Sequence, residues 1–323
     1  MTCAPKLLAL AAGLVLAGSC SSPTPPGPAP GPDFDQAKAW QHLERIVAIG
    51  PRPSGSQGAA DLRDYLELQL EALGLTVVRE PFTDGTPAGD IHFENLWVDL
   101  PPTLGDGADA PWIVIGTHYD TKILGPEHGE TPDRPFLGAN DGGSGTAIQL
   151  ELARVLSQDE RPREVGLRLL FLDGEEAVNF DWEGKDNTYG SRYHAERLLR
   201  EGEASRFGAC VILDMLGDRD LQLVHDVNSR LALLEIFQDA ARREGLGKHL
   251  MTQRQAVRDD HQSFLRVGIP AVDLIDLTYG PNNGWWHTVE DTLDKCSADS
   301  LGVAARIFLA GLPDLEAWVL DQR

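Results

Sequence analysis

The chain of 323 residues carries 50 acidic against 28 basic side chains, a formal net charge of −22, which argues against a nucleic-acid partner because neutralising phosphates takes clustered Lys and Arg. At 42% hydrophobic and 24% charged the composition is too apolar for wholesale disorder, and one catalytic domain accommodates the length. The four cysteines, Cys3, Cys20, Cys210 and Cys296, are too few for a disulfide scaffold or a thiolate cluster, so any metal must use nitrogen and oxygen ligands.

Residues 1–19 read as an export signal. One early positive charge at Lys6 precedes an apolar stretch from Leu7 to Leu16, too short to span a bilayer as a finished helix, and small residues lie just before Cys20. Leu16-Ala17-Gly18-Ser19-Cys20 resembles a bacterial lipobox, whose cysteine receives lipid after cleavage; a plain secretory signal cut nearby is the alternative. Residues 20–34 then form a lipidated Cys and a Pro/Gly/Ser-rich tether without a core. This leaves 35–323 as the catalytic domain, carried in the bacterial cell envelope and facing the periplasm or the exterior. Membrane is touched only through the lipid on Cys20.

In the folded part, Trp40, Leu43, Ile46 and Val47 recur at helical spacing, and so do Leu62, Leu66, Leu70 and Leu73 before Gly74, a predicted C-cap. Apolar runs of strand length follow at Leu75 to Val78, Phe93 to Val98, Trp112 to Gly116, Leu167 to Leu172, Val211 to Leu213 and Ala271 to Ile275. Helical patterns cover Ala147 to Leu156, Tyr193 to Leu199, Leu231 to Arg243 and Leu301 to Leu320. Short apolar strands alternating with helices predict a single-domain, three-layer α/β/α sandwich around a mixed, mostly parallel sheet.

In such sheets ligands bind beyond the carboxyl ends of the strands. The residues there are nearly all of metal-binding type: His118 and Asp120 after the run ending at Gly116, Glu175 and Glu176 after Leu172, Asp214 after Leu213, Asp141 in a Gly-flanked turn leading into a helix, and His287 near the C-terminus. A single such residue is usually a loop residue or a cap; five groups at successive strand ends are not. Imidazole with carboxylate suits zinc with an open position, whereas calcium or magnesium asks for more oxygens and no histidine. Asp120, two residues after His118, can fix the tautomer of the imidazole. Of the neighbours Glu175 and Glu176, one carboxylate can bind the metal while the other faces the substrate.

These motifs, Gly116-Thr117-His118-Tyr119-Asp120, Gly138-Ala139-Asn140-Asp141 and Asp173-Gly174-Glu175-Glu176-Ala177, resemble those of the zinc aminopeptidase clan. Within it the chain is most similar to the glutaminyl-peptide cyclotransferases, or glutaminyl cyclases, from about Trp40 to the C-terminus. The loop from Asp181-Trp182 to Tyr189-Gly190-Ser191-Arg192, the triplet Asp259-Asp260-His261 and Trp286 directly before His287 tilt the likeness toward the cyclases. Two departures stand out: the segment from Asp273 to His287 is a few residues longer than in animal cyclases, and Asn140-Asp141-Gly142-Gly143-Ser144-Gly145 resembles the aminopeptidase turn.

The resemblance implies conversion of the N-terminal Gln of peptides or proteins to pyroglutamate with release of ammonia. It implies one Zn2+ on Asp141, Glu176 and His287, with Glu175 moving the proton and Asp259 and Asp214 orienting amine and amide. Trp182, Tyr279 and Trp286 are then the substrate-pocket residues, and the enzyme acts as a monomer. Two readings stay open beside this one. A two-metal aminopeptidase would place His118 and Asp214 on one ion and Glu176 and His287 on the other, bridged by Asp141; a non-catalytic lipoprotein would bind amines or peptides in the same cleft.

Overall fold

Asp35 opens the folded chain as an N-cap, its carboxylate accepting from the amides of Ala37 and Lys38. The computed structural model describes residues 1–2, 33–104, 107 and 109–323, so Cys20 and nearly all of the expected export signal and tether lie outside the described residues. Helix α1 (Gln36–Ile49) buries Leu43, Ile46 and Val47, and α2 (Gln57–Ala72), capped by Ser56, buries Leu62, Leu66 and Leu70. Gly74 ends α2 at φ +77. Its amide bonds to Glu71 O and the Leu75 amide to Leu70 O, closing carbonyls that the last helical turn leaves open.

Next come β1 (Val77–Thr86), β2 (Gly89–Leu100), β3 (Trp112–His118), α3 (Gly143–Ser157), β4 (Gly166–Leu172), α4 (Tyr189–Arg200) and β5 (Phe207–Asp214). The chain finishes with β6 (Leu223–Asp226), α5 (Leu231–Arg243), β7 (Leu250–Gln255), α6 (His261–Arg266), β8 (Ala271–Ile275) and α7 (Ala298–Asp321). The six-stranded sheet runs β1-β2-β4-β3-β5-β8. β3 with β4, β3 with β5 and β5 with β8 are parallel, while β1 with β2 and β2 with β4 are antiparallel. The mixed, mostly parallel α/β architecture expected from the sequence is the one found.

Along the central strands successive side chains alternate between two apolar layers, so both faces read as continuous hydrophobic runs. Ile113, Ile115, Leu167, Leu169, Val211 and Leu213 join the core built with α1, α2, α3, α5 and α7. Val114, Leu170, Leu172, Cys210 and Ile212 join the layer under α4 and α6. Each such aliphatic side chain contributes about 1.5–3 kcal/mol by leaving water. Cys210 and Cys296 are both free and buried, one in each of these cores.

Four elements differ from expectation. The strand placed at Leu75 to Val78 begins at Val77 and continues to Thr86, because its ladder to β2 runs from the pair Val77 and Val98 to the pair Thr86 and Gly89, through the polar residues Arg79, Glu80, Thr83 and Asp84 that end the apolar run. A small parallel sheet of β6 and β7 and the short helix α6 carry too little hydrophobic periodicity to be read. The four mutually parallel strands nevertheless end on one side of the sheet, with His118 and Asp214 as the last residues of β3 and β5.

Candidate active site

Asp141 stands at the centre of this side, in the turn before α3. Asp291 holds that turn from behind: its carboxylate accepts from the amides of Asn140 at 2.8 Å and Asp141 at 3.1 Å. Gly142 follows at φ +74, and a Cβ there would lie 2.4 Å from Asp120 O and 3.1 Å from His118 Cε1, so only glycine lets the turn close against β3. His287 is held in the left-handed region at φ +52, and Met215, next to Asp214, at φ +51. Such conformations persist only where the surroundings impose them.

The expected ligand trio converges. His287 Nε2 lies 3.4 Å from Asp141 Oδ2 and 3.2 Å from Glu176 Oε1. Both oxygens are buried and find no hydrogen-bond donor of acceptable geometry. A tetrahedral zinc ion with bonds of about 2.0–2.1 Å spaces its ligand atoms about 3.3 Å apart, so these residues fit the ion the sequence implied. On its other side Asp141 turns Oδ1 to His118 Nε2 at 3.2 Å, and His118 Nε2 lies 3.1 Å from Asp214 Oδ1. His118, Asp141 and Asp214 are therefore a second trio within ligand spacing, and Asp141 belongs to both.

Asp120 sits behind the imidazole as anticipated, with Oδ1 3.4 Å from His118 Nδ1. It also accepts the backbone amides of Glu175 at 3.1 Å and Glu176 at 3.3 Å. Gly174, at φ +73 and with no room for a Cβ against Phe93, lets the chain turn into this pair. The two side chains then diverge, Glu176 into the trio and Glu175 into the cleft. Burial works against the charge of Glu176, yet His287, Lys122 and His118 together hold it down at about 2. Burial pushes Glu175 well above the usual carboxylate range; His118 opposes this, and the charges of Glu176, Asp259 and Asp260 add to it. Burial likewise raises Asp259, helped by Asp214 and Asp260.

A cleft of about 400 Å³ opens onto these groups, lined among others by Asp141, Glu175, Asp214, Asp259 and His287. Trp182 and Trp286 form its rim as expected, Trp286 being 37% exposed and stacked on His287 at 4.0 Å. Asp259 is 3% exposed; Oδ1 accepts from the Asp260 amide and Oδ2 has no partner. Asp260, one residue on, is fully buried and does not line the cleft.

Tyr279 is a correction. It was expected in the pocket, yet it is 0% exposed and is absent from the lining. Its hydroxyl donates to Asp291 Oδ1 at 2.8 Å and its ring packs edge-on against Trp285. The segment from Ile275 to His287 buries the ring behind the wall, which Ile275 and Leu277 line instead.

Four neighbours of the site were not anticipated. Lys122, 1% exposed, donates to Glu176 Oε2 at 3.4 Å and to the carbonyls of Ala177 and Asn179. A lysine directly before the apolar pair Ile123-Leu124, and two positions after Asp120, was the available signal. Phe180 lines the cleft and stacks on His128 at 3.8 Å; an aromatic residue two positions before Trp182 was its signal. Arg258, next to Asp259, also lines the cleft. Asp291 has no local signal at all.

The peptidase family M28 pattern matches residues 95–312. The chain is 32% identical to the glutaminyl-peptide cyclotransferase of Drosophila melanogaster, over 85% of this chain and 80% of the relative. It is 33% identical to a glutaminyl-peptide cyclotransferase-like protein of Mus musculus, over 86% of this chain and 76% of the relative. Among solved structures, the glutaminyl cyclase of an Acidobacteriales bacterium superposes with a TM-score of 0.81 at 34% identity, covering 92% of this chain and 99% of that one.

Proposed function

The chain belongs to peptidase family M28 and, within it, to the glutaminyl-peptide cyclotransferases, and from that premise we propose that it converts the N-terminal Gln of peptides or proteins to pyroglutamate with release of ammonia. Asp141, Glu176 and His287 would hold one zinc ion. Bound there, it supplies Lewis-acid polarisation of the side-chain carbonyl of the substrate.

The remaining work falls to side chains of this chain. Glu175 takes a proton from the α-amine as that nitrogen attacks the side-chain amide carbon, and returns it to the departing nitrogen. The ring C–N bond forms, the bond to the leaving ammonia breaks, and no water is consumed. Asp259 and Asp214 orient amine and amide through hydrogen bonds. Nucleophile and electrophile share one residue, so effective molarities of about 10⁵ M or more are within reach once the side chain is folded back. Trp182, Trp286 and Phe180 around the mouth keep out water that could hydrolyse the amide instead.

The observation that carries this reading is the pair Glu175 and Asp259. Both carboxylates line the cleft outside the metal trio, so one can move the proton while the other holds the amine. A second reading, a two-metal aminopeptidase, is favoured by the equal spacing around His118, 3.2 and 3.1 Å. Purified protein offered Gln-peptides and Leu-arylamides side by side, with chelator controls, separates them. Ammonia without peptide shortening is the expected result, and liberated free amino acids would overturn it.

We further propose that the catalytic domain over 35–323 works as a monomer in the bacterial cell envelope, tethered by lipid on Cys20. Both ligand-type trios are complete within one chain, so the site needs no second copy, and the lipobox-like Leu16 to Cys20 supports the anchor. Fatty-acid labelling of the expressed chain, lost in Cys20→Ser, is the test; unlabelled wild type rejects the anchor.

A further inference from the structure

We propose that Arg258 selects substrates by charge, receiving a carboxylate carried on the part of the substrate beyond its cyclising Gln. This rests on the cyclase reading above. The residues 256–259 alternate exposed, buried, exposed, buried, so Asp259 points inward while Arg258 points to the mouth of the same cleft. The guanidinium is held in place: Nη2 donates to Trp182 O at 3.2 Å, and Cζ lies 5.7 Å from the centre of the Trp182 ring. Among the described residues no carboxylate comes within ion-pairing distance of it, although most other arginines here have one.

The charge of the cleft makes this position distinctive. Asp141, Glu175, Asp181, Asp214 and Asp259 line it, and Arg258 is its one basic side chain apart from the His287 imidazole. An N-terminal residue whose amine reaches Glu175 and Asp259 must send the following chain out past the rim, where an unpaired guanidinium waits over Trp182. Arg is the residue whose planar donor fork matches a carboxylate. That carboxylate has two sources: an Asp or Glu side chain at the second position, or the terminal carboxylate of a Gln-dipeptide.

The test compares kcat/KM for Gln-Ala-amide, Gln-Glu-amide, Gln-Lys-amide and Gln-Ala with a free terminus, in the wild type and three variants. An anionic substrate is expected to exceed Gln-Ala-amide by about two- to fivefold, the effect of one exposed ion pair, with the gain carried in KM. That ratio should persist in Arg258→Lys, fall to one in Arg258→Ala and turn in favour of Gln-Lys-amide in Arg258→Glu. A gain confined to Gln-Glu-amide assigns the side chain, and one confined to the free acid assigns the terminus. Equal cyclisation of all four by the wild type, or a ratio untouched in Arg258→Ala, overturns the inference alone. Cyclisation of none of them overturns the cyclase reading and this inference with it.

Discussion

The backbone amide of Glu175 donates to Asp120 Oδ1 at 3.1 Å, joining residues 55 positions apart. The other oxygen of that carboxylate accepts the Glu176 amide, and its first lies beside His118 Nδ1. One side chain just beyond β3 thus sets the direction of the two glutamates after β4 and the orientation of the His118 imidazole.

Asp120→Ala removes the acceptor from two buried amides. A loss of about 1–3 kcal/mol for each donor left unpaired is expected, with zinc affinity about 10–100-fold weaker because the residue supports ligands rather than binding metal itself. Thermal melting and chelator competition measure the two effects. Unchanged zinc affinity would show that Asp120 does not position Glu176.

Glu175→Gln keeps the shape of the side chain and the hydrogen bond from its backbone amide to Asp120 but cannot accept and return the proton. Turnover should fall by about 10²–10⁴-fold while zinc content stays intact, since the proposed ligands Asp141, Glu176 and His287 are untouched. Metal analysis beside steady-state kinetics checks both halves, and a variant that loses its zinc counts against the proton-transfer role.

Asp259→Ala and Asp260→Ala test neighbours with opposite surroundings. Asp259 lines the cleft with Oδ2 unpartnered, whereas Asp260 is fully buried outside it. Activity per folded enzyme should drop by about 10²-fold or more for Asp259→Ala and far less for Asp260→Ala. Equal losses would undo the assignment of Asp259 to the substrate amine.

Lys122→Met leaves the buried Glu176 carboxylate without its neighbouring ammonium and releases the carbonyls of Ala177 and Asn179. Breaking a buried pair from one side typically costs about 3–5 kcal/mol. Zinc held as proposed would neutralise the same carboxylate, so the drop in Tm should be larger in chelator-treated protein than in zinc-loaded protein. Equal drops would mean that Lys122 acts only on the loop.

Activity should fall in acid. The nucleophile is a neutral α-amine whose unperturbed pKa is about 7.7–8. Below that value each pH unit removes about nine-tenths of the remaining neutral form, so kcat/KM rises with pH through this window. A Gln-peptide with a less basic amine should shift the profile to lower pH, and a profile that ignores the substrate amine would place the controlling group elsewhere.

The layered fold and the gathering of Asp141, Glu176 and His287 at one edge of the sheet were legible in sequence because both follow from short-range order. Apolar runs of strand length such as Leu167 to Leu172 mark a sheet buried on both faces, and in parallel strands whatever follows each run arrives at the same edge. Asp291 was not legible, since a carboxylate that takes the Asn140 and Asp141 amides from about 150 positions away leaves no periodic trace; Lys122 carried a local signal, but its pairing with Glu176, 54 positions on, is set by packing. Tyr279 fails for the same reason: the resemblance places an aromatic ring near the pocket, but whether it faces substrate or donates to Asp291 depends on how the segment before His287 folds back. Local chemistry along the chain decided which groups were available. Only packing between distant segments decided which atoms met, because burial, hydrogen-bond geometry and ligand spacing are properties of pairs of segments.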